Sequence, residues 1–535
     1  MRIIDEPPDD IRGEARDLTA ERAERRIVSV VTLTVLSALV IRTAWVSDDA
    51  YITFRTIDNF FHGYGLRWNV AERVQAYTHP LWMLVVAAGY SITNEPYYTS
   101  IAISLLLTLA TMYLLINKIA TGIPAALAAT LALLLSRAFI DYSTSGLENA
   151  LTHCLLVLFF LVYFATSTGP RRLFVLTLLT SLLATNHADT VLLVLPALAV
   201  AAWRARGKAA LGALTAGVVP IVVWEVFSLL YYGFLLPNTA YAKLLRTGVP
   251  ASALAAQGLL YLLDSIKSDP ITLTTIAGAS ALAIANRMSR TVPIVLGFAL
   301  YLIWVIRIGG DFMSGRLLSA PLICAAVILC RVSTLRLDRW VGAFVYATIV
   351  VIGITSLRST LFGSGISPNG AVPASLIGPS GIADERLVYF QEAGLVNVTR
   401  AMRPVGGRVK NPAVPDLLSS GTQLRVEQLA QVGYHGYYAG PAVHVIDQLG
   451  LGDPLLARLP SIGSWRIGHF YRGLPSGYRE TVETGVNHLQ DPGLIAYYNR
   501  LSAITRGPVF SRARLQTILR MNLGGYDSLI AQSPH

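Results

Sequence analysis

Residues 80–92, PLWMLVVAAGYSI, decide how this chain is threaded. The run is apolar, but it is short and opens on Pro80. A helix that crosses a bilayer core needs about 20 residues. Residues 80–92 therefore read as an interfacial or re-entrant helix. Eleven other runs read as spans: 27–46, 99–117, 119–136, 150–168, 172–186, 188–203, 209–232, 271–286, 291–308, 316–331 and 340–357. Arg22, Arg25 and Arg26 precede the first span and place the N-terminus inside, because Lys and Arg collect in cytoplasmic loops. Leaving 80–92 out of the count then puts the turns at Lys118, 171–172, 204–208, 287–290 and 331–339 inside as well, each with positive charge. Counting it as a span would throw those clusters outside. The expected fold is a polytopic α-helical membrane protein with about eleven transmembrane helices, N-terminus in and C-terminus out.

Composition points the same way. The 535 residues are 53% hydrophobic and only 14% charged, with a mean hydropathy of +0.52. Soluble domains carry about 25% charged residues. The net charge of +11 follows from inward-facing Lys and Arg. No basic stripe, zinc knuckle or RNA-binding signature accompanies it, so nucleic acid is excluded as a partner. Cys154, Cys324 and Cys330 lie in or beside apolar runs and read as small hydrophobes, with no disulfide framework or metal site.

Three segments are expected: a cytoplasmic stretch 1–26, a membrane domain 27–357 whose first outer loop spans 46–98, and a soluble periplasmic domain 358–535. The last is richer in Gly, Pro and charge, lacks a span-length apolar run, and reads as mixed α/β. Residues 443–446 read as a strand ending in a polar turn.

The outer face collects the chemistry. Asp48 and Asp49 follow the first span directly. They are either flanking charges or a base at the lipid–water boundary, where partial desolvation and a like-charged neighbour raise a carboxylate's pKa. Residues 52–62 are amphipathic at helical spacing, and Gly63 and Gly65 break the pattern. Trp68, Tyr77 and Trp82 suit a headgroup-level aromatic belt. A loop of amphipathic helices lying on the bilayer suits an enzyme whose substrate arrives in the membrane. Further outer motifs are TSGLE (144–148), NHAD (186–189), YYGFLLPNTAYAK (231–243), and GGDFM (309–313) with Arg316. The tail contributes VGYHGYY (432–438) and VHVIDQLGLGD (443–453).

The carboxylate pair followed by YITFR (51–55), GYGLRWN (63–69) and ERVQAYTHPLW (72–82) resembles the GT-C superfamily of polyprenyl-phosphate-sugar-dependent glycosyltransferases. The chain is most similar to the branch of the mycobacterial terminal arabinofuranosyltransferases and related pilin-modifying enzymes. The resemblance covers roughly residues 27–357. It implies an acidic base in the first outer loop, at Asp48 with Asp49 beside it, and a basic residue at Arg55. It also implies a lipid-linked sugar donor, arabinofuranose by preference, and chemistry that needs neither metal nor cofactor. At the NHAD corner His187 and Ala188 replace the expected Arg and Pro, which puts a phosphate role there in doubt.

Lys243, Arg246, Arg316, His187 and Arg307 lie at expected outer helix ends, where they either bind the donor phosphate or only snorkel. Glu148 either bonds sugar hydroxyls or pairs with an Arg. Asp311 orients a cation, contacts sugar or caps a helix. Asn238, Tyr241, Tyr77 and His79 lie in the resembling motifs as sugar or acceptor contacts, and His435 does so unless its segment is core. The implied function is transfer of a sugar to a cell-envelope glycan or protein at the bacterial inner membrane. A lipid-sugar flippase or transporter is the alternative. It predicts mid-membrane charges and internal symmetry, which the sequence lacks.

Overall fold

The computed structural model describes residues 9–331, 347, 349–354, 360, 377–400, 425–429 and 432–531. Within them the chain is overwhelmingly helical. Helix α1 is Asp9–Thr43, α2 Asp48–Phe61, α3 Pro80–Thr93, α4 Pro96–Leu114, α5 Ile123–Leu135, α6 Arg137–Asp141, α7 Asn149–Phe164 and α8 Pro170–Asn186. Helix α9 is Val191–Ala205, α10 Lys208–Gly217, α11 Val219–Tyr231, α12 Asn238–Ala240, α13 Ala251–Ser268, α14 Pro270–Ala285, α15 Val292–Ile308 and α16 Ser319–Arg331.

Ten of the expected spans thus carry a helix, and the eleventh, 340–357, lies largely outside the described residues. Helical segments Glu21–Thr43, Pro96–Ile119 and Ala188–Ala205 are long and apolar enough to cross a bilayer alone. The others are shorter. The expected span 209–232 is two helices, α10 and α11, bent by 45° at Val218. Pro220 explains the break: its ring removes an N–H and clashes with the carbonyl four residues back. The chain is a polytopic helical membrane protein.

Helix starts follow local chemistry. Pro opens α3, α4, α8 and α14, where its missing N–H has no partner to lose. The Glu95 carboxylate caps α4 by accepting the N–H groups of Tyr97 and Tyr98 at 3.0 and 2.7 Å. Helix α3 is 14 residues, as the short run 80–92 anticipates, and it packs on α2, α4 and α8. An 18-residue helix, α13, fills the loop before α14 and was not foreseen. It fits closely against α15, where a Cβ at Gly258 would fall 2.4 Å from the Ile306 carbonyl oxygen.

The described part of the tail packs both on itself and on the membrane part. Its only sheet among the described residues is two parallel strands, β1 Arg425–Leu429 and β2 Val443–Asp447. The strand expected over 443–446 is therefore present, and the rest of the described tail is mostly short helices and turns. The tail builds a core of its own, in which Leu455, Tyr478, Leu494, Leu501 and Ile518 pack together, and it also joins two others. Ile382, Phe390, Ile467 and Phe470 extend the core of the membrane helices, while Val443, Val445 and Leu451 pack with Ile52, Trp68 and Ala76 of the first outer loop. Helix α2 is consequently sandwiched, with every residue from Ala50 to Ile57 buried. It does not lie on a bilayer surface. Trp68, Tyr77 and Trp82 are also core and form no interfacial belt: they are 0%, 2% and 0% exposed.

Candidate active site

Several outer segments, the tail and the first turns of α2 converge on a cavity of about 340 Å³. Its polar wall contains Asp49, His79, His187, Asp311, Lys243 and Arg316. Leu235, Leu236 and Leu244 also line it and are 48%, 46% and 49% exposed, so the cavity opens onto an apolar surface.

Glu148 organises the polar wall. It precedes α7 and is buried, with three basic side chains around its carboxylate. Arg316 Nη2 is 3.0 Å from Oε1, His187 Nε2 is 3.6 Å from the same oxygen, and His79 Nδ1 is 3.0 Å from Oε2. The His79 contact lacks hydrogen-bond geometry. A buried charge is costly unless paired. Burial opposes the charge on Glu148, but Arg316, His79 and His187 outweigh it and hold the carboxyl well below its usual range. Burial likewise disfavours charge on His187. Asp189, which pairs with its Nδ1, and Glu148 reverse this and push its pKa up to about 9. His187 is therefore a cation at neutral pH and supplies charge at the corner where Arg was expected. Thr53 Oγ1 lies 2.8 Å from His79 Nε2 and fixes that ring.

Arg316 bridges two carboxylates, since Nη1 also lies 3.3 Å from Asp311 Oδ2. Gly309 and Gly310 turn the chain there at φ 90 and 72. A Cβ on Gly310 would sit 2.5 Å from Tyr261 Cβ, so no side chain fits. Lys243 stands on a π-helical turn, Tyr241–Leu245, with its ammonium 5.3 Å from the Phe312 ring. No carboxylate pairs with it among the described residues.

The two adjacent aspartates part company. The Asp49 carboxylate faces the cavity and takes part in no hydrogen bond or ion pair among the described residues. The Asp48 carboxylate accepts the N–H of Gly433 at 3.1 Å and of Tyr434 at 2.7 Å. It caps the tail helix Tyr434–Ala439 and is absent from the cavity wall.

Several other residues expected at the site are structural. Arg55 is buried against the Trp68 ring, 4.9 Å from its centroid, and donates to the carbonyls of Trp68, Gly436 and Val443. It rivets α2 to the tail. Asn238 donates to the carbonyls of Gly450, Leu451 and Asp453 and accepts from Arg458. Tyr241 packs edge-on to Phe234 and under Arg458. Arg246 pairs with Asp527 at 2.9 Å on the surface. Arg307 and His435 are exposed and line no part of the cavity. Tyr77 does line it, with its hydroxyl 2.8 Å from that of Tyr232.

One carboxylate escaped the sequence reading. Glu385 opens the tail helix Glu385–Ala393, behind Asp49. The segment is clamped there by Asp384 on Arg137 at 2.6 Å and Arg386 on Asp141 at 2.6 Å, and by the Ala383 N–H on the Phe312 carbonyl at 2.7 Å. Burial and the neighbouring Asp49 push the Glu385 carboxyl up to about 8, against the pull of Arg466 at 3.9 Å. No motif marks it, because only folding brings it to Asp49. Among the described residues, no group of three or more His, Cys, Asp or Glu side chains is arranged to hold a metal ion.

No family model matches the chain. Its similarity to individual proteins is extensive. It is 25% identical to the terminal beta-(1->2)-arabinofuranosyltransferase of Mycobacterium tuberculosis, across 90% of this chain and 93% of that protein. It is also 25% identical to the enzyme of that name from Corynebacterium glutamicum, across 79% of this chain and 72% of that protein. The solved structure of ArnT from Cupriavidus metallidurans bound to undecaprenyl phosphate overlays with a TM-score of 0.46 at 16% identity, covering 81% of this chain and 89% of that one. The chain is a glycosyltransferase. Over most of its length it is similar to terminal arabinofuranosyltransferases.

Proposed function

We propose that this enzyme transfers a sugar, D-arabinofuranose by preference, from a polyprenyl-phosphate donor to a hydroxyl of a cell-envelope glycan or glycoprotein. The reaction runs on the outer face of the bacterial inner membrane, with eleven spans and the N-terminus inside. Asp49 is the base. The carrying observation is that the unengaged Asp49 carboxylate shares one cavity with Lys243, Arg316 and His187, beside an exposed apolar rim. The relatives' names support arabinofuranose as the sugar transferred.

The chemistry follows from that placement. The polyprenyl chain lies along Leu235, Leu236 and Leu244, which keeps its phosphate at the mouth of the cavity. The acceptor oxygen attacks the anomeric carbon while the carbon–oxygen bond to phosphate breaks. Asp49 takes the hydroxyl proton, and the electron pair leaves on the phosphate. Lys243, Arg316 and His187 stabilise the charge that develops there. In this reading the chain's own cations meet the phosphate. Glu148 and Asp311 orient Arg316, and Glu148 fixes His79 and His187.

The test is turnover of a synthetic polyprenyl-phosphate arabinofuranose and an arabinoside acceptor by purified protein. Wild-type turnover that Asp49→Asn abolishes in a folded protein supports the proposal. Full activity of Asp49→Asn would move the base elsewhere, and no turnover with any polyprenyl-phosphate sugar would overturn the donor class.

A further inference from the structure

The opposite end of the bundle holds a second cavity, of about 650 Å³. Helix α7 connects the two. Leu147, just before its start, lines the active-site cavity, and Leu161 to Ala165 at its end line the second. Sixteen residues at 1.5 Å per residue separate them by about 24 Å. The second cavity is thus a distinct site on the inner face, an orientation that rests on the topology proposed above.

Its walls carry Lys118, Arg171, Arg172 and Arg331. Lys118 stands on the π-helical turn Leu115–Ile119, closed by the Ala120 N–H on the Leu115 carbonyl at 2.9 Å. The outer cavity's Lys243 is presented by a π-helical turn too, a backbone form frequent at functional sites. Arg172 donates to the carbonyls of Val162 and Tyr163, and neighbouring Arg290 donates to that of Ala165 at 3.2 Å. The Arg331 guanidinium sits 4.8 Å from the Phe164 ring. Backbone carbonyls and rings thus hold several of these cations close together. No Asp or Glu among the described residues forms an ion pair with Lys118, Arg171, Arg172, Arg290 or Arg331. Like charges gathered without a counter-charge repel, and their arrangement is stabilised by an anion.

Positive charge on inner loops is needed for topology alone. Topology does not require four cations to converge on one concavity. Ile119, Leu161 and Val175 form the apolar side of that concavity. A cationic pocket with an apolar wall at the membrane's inner face matches a phosphate that carries acyl chains. We propose that this cavity binds the headgroup of an anionic phospholipid of the inner leaflet.

The test uses protein delipidated in neutral detergent and offered phosphatidylglycerol or phosphatidylcholine, with native mass spectrometry as the readout. Lys118→Gln/Arg171→Gln is the variant of choice. Both side chains are exposed and make no hydrogen bond among the described residues, so the fold is retained. Wild type is expected to hold one phosphatidylglycerol and to discriminate against phosphatidylcholine. The double variant is expected to bind it about tenfold or more weakly, and Lys118→Arg/Arg171→Lys to restore binding. An excess of inorganic phosphate should not displace the lipid. Equal binding by the Gln variant, or no preference for phosphatidylglycerol, overturns the site. Displacement by inorganic phosphate assigns it to a soluble anion instead. None of these readouts depends on catalysis, so their failure is separable from failure of the proposed reaction.

Discussion

The Asp48 carboxylate accepts the backbone N–H of Tyr434 at 2.7 Å, across 386 residues of chain. Asp49, one residue on, turns into the cavity with its carboxylate unengaged. One helix turn therefore fastens the tail and presents the proposed base. The two roles are separable by mutation. Asp49→Asn is expected to lower kcat by about 10²–10⁴, the range for a lost general base, with Tm unchanged. Asp48→Ala is expected to lower stability by about 1–3 kcal/mol through the two orphaned N–H groups. Thermal scans beside initial rates decide the matter. The reverse pattern would exchange the two assignments.

Gly433 makes that fastening possible. A Cβ there would fall 1.8 Å from the Asp48 carbonyl oxygen, closer than any real contact. Gly433→Ala is therefore expected to push the helix Tyr434–Ala439 off α2 and break both bonds to Asp48. Hydrogen exchange should show faster amide exchange at 433–439 and along α2. Unchanged protection in both segments would mean that the contact carries no docking energy.

Much of the membrane part was legible in the sequence, because lipid imposes a length and a polarity on each span. The outer segments were legible for a second reason: Asp49, Glu148, His187 and Arg316 each lie in a short motif at a helix end. The failures share one cause. Arg55 and Asn238 carry the right chemistry, but partners hundreds of residues away decide what they do. Arg55 and Asn238 bond carbonyls of the tail, and no local pattern reports that. Glu385 is the converse case. Its neighbours in sequence are unremarkable, and the Arg137–Asp384 and Arg386–Asp141 pairs bring it to Asp49. The break at Val218 was the readable miss, since Pro220 was in plain view.

In the proposed reaction Lys243 and Arg316 divide the work on the donor. Arg316 is paired with Glu148 and Asp311, whereas Lys243 lies beside the Phe312 ring with no carboxylate paired to it among the described residues. Lys243→Ala is expected to raise KM for the lipid donor by about tenfold or more, the cost of one charge-assisted phosphate contact, with the larger effect on KM. Glu148→Gln is expected to damage kcat more than KM, because Arg316, His79 and His187 lose their common anchor. Steady-state kinetics over donor concentration separates these outcomes. Equal KM values for wild type and Lys243→Ala would remove Lys243 from donor binding.

The raised pKa of Glu385 gives the fold a pH signature with a definite sign. In the unfolded chain its carboxyl ionises near about 4.3. In the folded chain, burial and Asp49 delay ionisation to about 8. Between those values the unfolded state has lost a proton that the folded state keeps, so stability falls as pH rises. The contribution is whole below the unfolded value and gone once pH passes about 8. His187 has the same sign in a higher window, whole below about 6.5 and lost as pH rises through about 9, where its charge no longer supports Glu148 and Asp189. Glu385→Gln stays neutral at every pH and removes the first slope only. Unfolding measured from pH 5 to 9 should therefore show wild type losing stability across pH 5–8 and the Gln variant losing less. Parallel curves for the two proteins would show that Glu385 ionises as an ordinary carboxyl and does not meet Asp49 protonated at neutral pH.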